Sequence, residues 1–461
     1  MLSLKNEEVP YGVGKKQIMK QWSGKPVTDQ FLIDEDYNVP DNKKDIKKVM
    51  QSEGTLRIEE IRKVDHYVKI HGKLMFKILY VTDEADEKMA ELSGQFPFEE
   101  MVYTEEERGD WLIRSTRTDV TAVMIHSRKL NIKALVTFCA TVDETEQIRL
   151  PVALDAEEVS VRKKTVRFLG LTVPLKKIHS GSRMSIPLPP TVRILASLIW
   201  YTMDVRGLDL KPEENVVKAR GELSVFVLYG AEDTEAPVQW LEYSLPFSGE
   251  VECPDCTEEL IPLIEASVMH QSLEAKPDVD GEERILVSDV VLELDMKFFR
   301  EEEYDLITDV YTPIRECVPE GKNEVLERLL VRNFSRCRIS DRIQVKETQG
   351  KVLQLCHSQG KVKIDKTRIV ENGVQADGVV MLKILYIIGN DDMPFYSMEA
   401  MIPFSHMVEA RGIRQDSCYQ LKAKLEQLSA AMADGNEIEI RATVGLELLA
   451  VAREPVFIIE K

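Results

Sequence analysis

Two cysteines three apart, in Cys253-Pro-Asp-Cys256, are residues of this 461-residue chain whose type and spacing could do chemistry. A CxxC pair can shuttle a disulfide when it opens a helix after a strand. It can also supply half of a tetrahedral zinc set when a second pair or two histidines complete it. Here the pair follows "PFSGEVE" in a loop, with no second CxxC and no histidine pair beside it. The reading is two ordinary loop thiols, so a metal or redox centre is not expected. The seven histidines, at positions 66, 71, 126, 179, 270, 357 and 406, show no HExxH or other paired-ligand spacing. "DVDGEE" at 278–283 lacks the spacing of a twelve-residue calcium loop and reads as a turn. The sequence holds no GxxxxGK[ST] phosphate loop and no GxSxG elbow. Acidic runs such as "YTEEERGD" (103–110) read as solvated loops. No catalytic, cofactor-binding or metal-binding residue is therefore expected, and the chain reads as a non-enzyme without a cofactor.

What remains is the framework, and it is written three times. "GKLMFKILYV" starts at Gly72, "GELSVFVLYG" at Gly221 and "GVVMLKILYI" at Gly378. Each places a tyrosine eight residues on, at Tyr80, Tyr229 and Tyr386, and a Pro-Phe pair 17 residues beyond that. These pairs are Pro97-Phe98, Pro246-Phe247 and Pro403-Phe404, so the Gly-to-Pro spacing is 25 in every copy, while the copies start 149 and 157 residues apart. A period of that size is a domain rather than a solenoid repeat. The expected division is repeat 1 over 1–145, repeat 2 over 146–305 and repeat 3 over 306–461. None of these twelve positions is a usual acid, base or nucleophile, so each is given a structural role. A glycine at a strand head answers a bulge or a close backbone approach. The tyrosine buries its ring while its hydroxyl stays bonded near an edge. Pro-Phe suits the start of an edge strand.

Composition agrees with three domains. The chain is 44% hydrophobic, and 60 Lys and Arg stand against 79 Asp and Glu, a formal net charge of -19. A polyanion such as nucleic acid is excluded as the natural partner, because its binding starts from clustered basic residues. An anionic lipid surface is disfavoured for the same reason. The N-terminus carries acidic residues where an export signal needs an apolar region. The longest apolar runs, at 194–203 and 379–388, are half the length of a membrane helix. Seven scattered cysteines (139, 253, 256, 317, 337, 356, 418) suit reduced thiols in a cytoplasmic protein.

Leu74, Phe76, Ile78 and Tyr80 alternate with Lys73, Met75 and Lys77, the period of a half-buried strand. Reversals are expected near Val64-Asp65-His66 and at Asn372-Gly373. Late strands are expected over 129–142, 284–299 and 437–451. The acidic, Pro-containing connections 143–159 and 301–324 should lie along neighbouring domains as strands. "NKKDIKKVMQSEG" (42–54) has Ile46, Val49 and Met50 at i, i+3 and i+4 and reads as a short helix closed by Gly54. "PPTVRILASLIW" and "QGKVLQLCHSQG" are its counterparts in the other repeats. The expected fold is mainly β: three tandem antiparallel β-sandwich or half-barrel domains, each with a short helix.

"VPDNKKDIKKVM" (39–50), the Gly-x-hydrophobic strand ending in Ile-Leu-Tyr, and "IPFSHMVEARGI" (402–413) together resemble the SPOCS domain of spore-coat assembly proteins. The three-copy arrangement is similar to the SipL type of coat morphogenetic protein. Repeat 2 departs most, with no Asp-Ile lead-in and "LPFSGEVECP" in place of the Ser-His stretch. The Gly-Asp-Thr-Leu-Trp-like run that announces the LysM module of SipL-type chains does not occur in this sequence. The resemblance implies a scaffold or adaptor in coat assembly, in the mother-cell cytoplasm at the forespore surface. It implies SpoIVA, the morphogenetic coat ATPase, or other coat proteins as partners, with no membrane insertion and with oligomerisation left open. A second reading is an envelope-associated module that binds a glycan or a metal.

Overall fold

The computed structural model describes residues 12–24, 26–84, 88–106, 108–155, 159–231, 238–313, 318–345, 351–389, 394–433 and 436–460. Every regular element among them is a strand. Repeat 1 contains β1 (Gly12–Ser23), β2 (Val27–Asn38), β3 (Ile46–Val64), β4 (Tyr67–Thr82), β5 (Met89–Tyr103), β6 (Asp110–His126) and β7 (Lys129–Asp155). Repeat 2 contains β8 (Ser160–Pro187), β9 (Leu195–Glu213), β10 (Val216–Ala231), β11 (Val238–Glu252), β12 (Ile261–Pro277) and β13 (Glu283–Tyr311). Repeat 3 contains β14 (Gly321–Gln344), β15 (Val352–Val370), β16 (Gly373–Ile388), β17 (Phe395–Glu409), β18 (Cys418–Met432) and β19 (Glu437–Ile459).

Each repeat is two packed antiparallel sheets. One is a meander, β3-β4-β5, β9-β10-β11 or β15-β16-β17. The other is built on the long last strand: β7 pairs β1, β2 and β6; β13 pairs β8 and β12; β19 pairs β14 and β18. Apolar residues alternate inward from both sheets and make one core per repeat. The connection 143–155 continues β7 and pairs β1 of its own repeat, and β14 pairs β19. The last strands of repeats 1 and 2 therefore run past 145 and 305.

The expected short helices are absent among the described residues, and the reason is specific. The first strand of each meander carries three β-bulges: at Lys47, Met50 and Glu59 in β3, with register shifts at the equivalent places in β9 and β15. A bulge adds one residue and reverses the inside-outside parity of the strand. Ile46 and Val49 consequently face their own sandwich, whereas Met50 points out of it. Two bulges three residues apart reproduce the i, i+3, i+4 spacing of a helix face. Leu195, Leu198 and Ile199 repeat this arrangement in repeat 2, and Val352, Leu355 and Cys356 in repeat 3.

The outward residues join the repeats. Met50, Ile199 and Cys356 meet with Leu79, Leu228 and Leu385, which occupy one shared position of the three repeats, around the fully buried Trp200 and Phe226. Farther along, the ribbons formed by the outer ends of the long strands pack together in a second shared cluster. It draws on Ile148 and Leu150, Tyr304 and Leu306, and Val456 and Ile458, again equivalent positions. The three repeats thus surround a common axis, with an apolar cluster on it at two levels.

One polar contact interrupts the second cluster. Lys20 of β1 lies 2.8 Å from Glu324 of β14 and 3.2 Å from Glu146. Burial opposes the charge on both partners. The carboxylates nevertheless hold Lys20 above its ordinary range, and Lys20 with Lys322 holds Glu324 below it. The depressed Glu324 pKa contributes stability present above about pH 4.3, the ordinary glutamate value, and lost as pH falls through the folded value. The raised Lys20 pKa contributes stability present below about pH 10.4 and lost as pH rises through its folded value. Lys20→Met alone should cost about 1–2 kcal/mol, above an exposed pair and below a fully buried one, because Glu324 keeps Lys322 at 3.1 Å. The double change Lys20→Met with Glu324→Leu should recover most of that loss and flatten the acid limb, because Phe168 and Leu326 pack in the same cluster. Urea melts of the three proteins at pH 4 and pH 7 measure both effects.

Candidate functional site

The twelve repeated positions come together as three copies of one strand-packing device. Gly72, Gly221 and Gly378 each pair in register with the phenylalanine of the Pro-Phe motif, Phe98, Phe247 and Phe404. The ring lies across the glycine: a Cβ at Gly72 would sit 2.8 Å from the Phe98 ring and 2.3 Å from the carbonyl oxygen of Arg57. At Gly378 the Lys363 oxygen would be equally close. Each carbonyl is in the peptide that leads into the third bulge, so the glycine makes room for that turn of the neighbouring strand. Pro97, Pro246 and Pro403 are exposed on β5, β11 and β17, each an edge of its meander, where a missing N–H leaves no ladder bond unmade. The pair falls in mid-strand rather than at the strand start. Tyr80, Tyr229 and Tyr386 are buried, and the Tyr80 hydroxyl donates to the Lys44 carbonyl at 3.3 Å. Burial pushes the Tyr229 and Tyr386 hydroxyls upward in pKa.

The residues with chemical potential are placed elsewhere. Cys253 and Cys256, read from sequence as separate thiols, are joined in a disulfide and buried in the core of repeat 2. Backbone bonds to Asn215, 3.0 Å each from Asn215 N–H to the Cys256 oxygen and from Cys253 N–H to the Asn215 oxygen, hold their loop. Cys139, Cys337, Cys356 and Cys418 are free, and burial pushes Cys356 up to about 12. Cys317 lies outside the described residues. In the 278–283 turn the Asp278 carboxylate accepts from the N–H groups of Asp280 and Glu282. His406 shares a 2.7 Å hydrogen bond with Ser335, tying β17 to β14.

Sequence reasoning missed His357. It is buried between repeats 2 and 3, stacked on Phe226 with centroids 4.1 Å apart, and its Nε2 is 3.0 Å from Thr202 Oγ1. Its Nδ1 lies 3.5 Å from the Glu242 carboxylate and holds that carboxyl below the ordinary range. The neighbouring interfaces use the same faces: Lys77 of repeat 1 sits over the Tyr201 ring, and Lys383 of repeat 3 donates to the Ser52 carbonyl. A cavity of about 1700 Å³ opens between the repeats, lined by β3, β6, β12, β13 and parts of repeat 3. Among the described residues no group of three His, Cys, Asp or Glu side chains is placed to hold a metal ion. No helix among them is long and apolar enough to cross a membrane.

These features define a class: a triplicated all-β protein whose repeats share inward faces and whose recurring residues all serve strand packing. The family model described as "SipL, SPOCS domain" matches residues 45–126, 195–276 and 351–433. The chain belongs to this SPOCS-domain family, which places it among sporulation-related proteins. Each match covers a meander and the strand after it, while the long last strands and β1, β2, β8 and β14 lie outside. No match was found among curated proteins or among solved structures.

Proposed function

We propose that the chain is a non-catalytic scaffold and adaptor in spore-coat assembly, linking coat morphogenetic proteins, SpoIVA among them, at the forespore surface. The observation that carries this reading is the fusion of three SPOCS repeats into one body through two shared apolar clusters. Such a body holds surfaces at fixed separations, which is the work of a scaffold. The recurring residues support it, being spent on bulges, glycine contacts and buried tyrosines. The glycan- or metal-binding alternative started from the "CPDC" loop, and the mutual disulfide of its sulfurs gives that alternative no added support.

A fluorescent fusion followed through sporulation tests the proposal. Signal should gather around the forespore once coat assembly begins. An even signal through vegetative cells and sporangia, with none at the forespore, would refute it.

A further inference from the structure

In repeats 1 and 3 the second sheet closes tightly over the meander at a glycine. A Cβ at Gly54 would sit 2.2 Å from Val120 of β6, and one at Gly360 would sit 2.9 Å from Leu425 of β18. Ser52 Oγ also donates to the Val120 carbonyl at 2.6 Å. The equivalent residue of repeat 2, counting from Gly221 as Gly54 counts from Gly72, is Met203, and its side chain is buried in the core. Met203 fills core space that the glycines leave empty, and β12 approaches β9 less closely than β6 approaches β3 or β18 approaches β15. Residues 266–271 of β12 are all exposed, Val268 at 39% and Met269 at 57% among them.

That strand is a sheet edge, and it faces another. β12 is terminal in the order β12-β13-β8, and β3 is terminal in β3-β4-β5. Consecutive residues 54–61 of β3 and 265–271 of β12 line the cavity where repeats 1 and 2 meet, and repeat 3 closes its inner side through Gly360–Val362 and Ala423–Leu425. The corresponding seam between repeats 2 and 3 is closed: Lys424 of β18 donates to the Leu208 carbonyl of β9, and Lys422 to the Ile264 carbonyl of β12, both at 2.9 Å. One seam of this axis is sealed, and its counterpart is a slot with an unpaired strand edge on each side.

We infer that this slot takes an extended polypeptide segment of a partner protein, which adds to the free edges of β12 and β3 and carries Lys or Arg beside apolar residues. Edge N–H and C=O groups call for main-chain partners, as in β-strand addition. The cavity volume exceeds the roughly 300–1,000 Å³ of small-ligand pockets. Its walls carry ten carboxylates against eight Lys and Arg, and on the β3 edge Glu59 and Glu60 pair with Lys73 and Arg62, surface pairs that a guest cation can share. Met75, Val268 and Met269 line it as exposed apolar side chains that a guest can contact. This gives the scaffold a specific way to hold a partner, and it is read in vitro, so its failure is separate from failure of the coat assignment.

The test uses the full chain and a labelled decapeptide alternating valine with lysine. Controls are its valine–glutamate analogue and a version N-methylated at alternate residues. Adjacent N–H groups of a strand point to opposite edges, so one of Ser267→Pro and Val268→Pro removes a cavity-facing donor and spares the β13 ladder. That variant is recognised by unchanged melting. Saturable micromolar binding of the lysine peptide is expected, weakened about tenfold or more by that variant, by Glu59→Lys with Glu60→Lys, and by N-methylation. Amide exchange at 266–271 should be fast in the free chain and slowed by the peptide. Three results would overturn the inference: no binding, binding indifferent to both the proline variant and N-methylation, or slow exchange in the free chain, which would mean the edge is already covered by this chain or a second copy.

Discussion

Trp200→Ala is expected to unfold all three repeats together. The indole is 1% exposed at the centre of the cluster shared by the repeats, beside Phe226 and Leu228 of its own repeat, Leu79 of the first and Leu385 of the third. Truncating a large buried aromatic costs about 3–5 kcal/mol through lost burial and the cavity left behind. That is a large share of the roughly 5–15 kcal/mol that holds a domain folded. Because the cavity would open on three sandwiches at once, the loss falls on their common interface. Calorimetry should show one cooperative transition displaced to lower temperature, and limited proteolysis should release no stable single-repeat fragment. Tyr80→Ala, inside the core of repeat 1, is the companion variant, with a cost of similar size. Separate transitions in Trp200→Ala, with repeats 1 and 3 melting as in the unmodified chain, would show that the cluster does not couple them.

The second large effect concerns the repeated glycines, and its size should differ among them in a defined order. Gly72→Ala and Gly378→Ala place a Cβ 2.3 Å from a backbone carbonyl oxygen, that of Arg57 or Lys363. A carbonyl cannot rotate away without undoing the bulge that positions it, so the cost should reach or exceed the upper end of the 1–3 kcal/mol typical of overpacking, about 3 kcal/mol. Gly221→Ala meets the Arg206 oxygen at 3.3 Å and chiefly the end of the Phe247 ring at 2.8 Å. A ring that is only half-buried can give way, so about 1 kcal/mol is expected there. Gly249→Ala meets nothing within 4 Å and should be neutral or stabilising by about 0.5 kcal/mol, since glycine weakens a strand interior. Denaturant midpoints of the four variants decide the matter, and equal losses at Gly72 and Gly221 would remove the carbonyl contact as the cause.

The proposed coat role and the fold stand on different footing with respect to the sequence. Triplication, strand periodicity and the turns were legible because they are local: Leu74 to Tyr80 alternate within one strand, and Asn372-Gly373 reverses within two residues. The twelve repeated residues were legible as structural for the same reason, since none carries a reactive group. The seams between repeats were not legible. Met50, Ile199 and Cys356 look like one face of a helix in sequence and become interface residues only when two bulges turn them outward. A bulge is set by what the neighbouring strand and the packed sheet demand, and no periodicity within the strand announces it. Nor does the chain itself announce that Cys253 and Cys256 pair with each other, or that His357 stacks on a ring 131 residues earlier, at Phe226.

The number of repeats, their β character, the SPOCS resemblance and the glycine, tyrosine and Pro-Phe positions that build each meander are all readable along the chain. How the repeats meet, and which of their edges stay open, is readable only in three dimensions. The physical reason is visible at Gly54, Met203 and Gly360. In sequence they are one methionine among two glycines, at equal distance from the repeated glycine. In space β6 and β18 close on the glycines, whereas the methionine fills the core of repeat 2 and β12 stands off from β9, its edge on the cavity that β3 also lines. Side-chain volume is written in the chain, but whether it seals a seam or opens one depends on which strands fold against it.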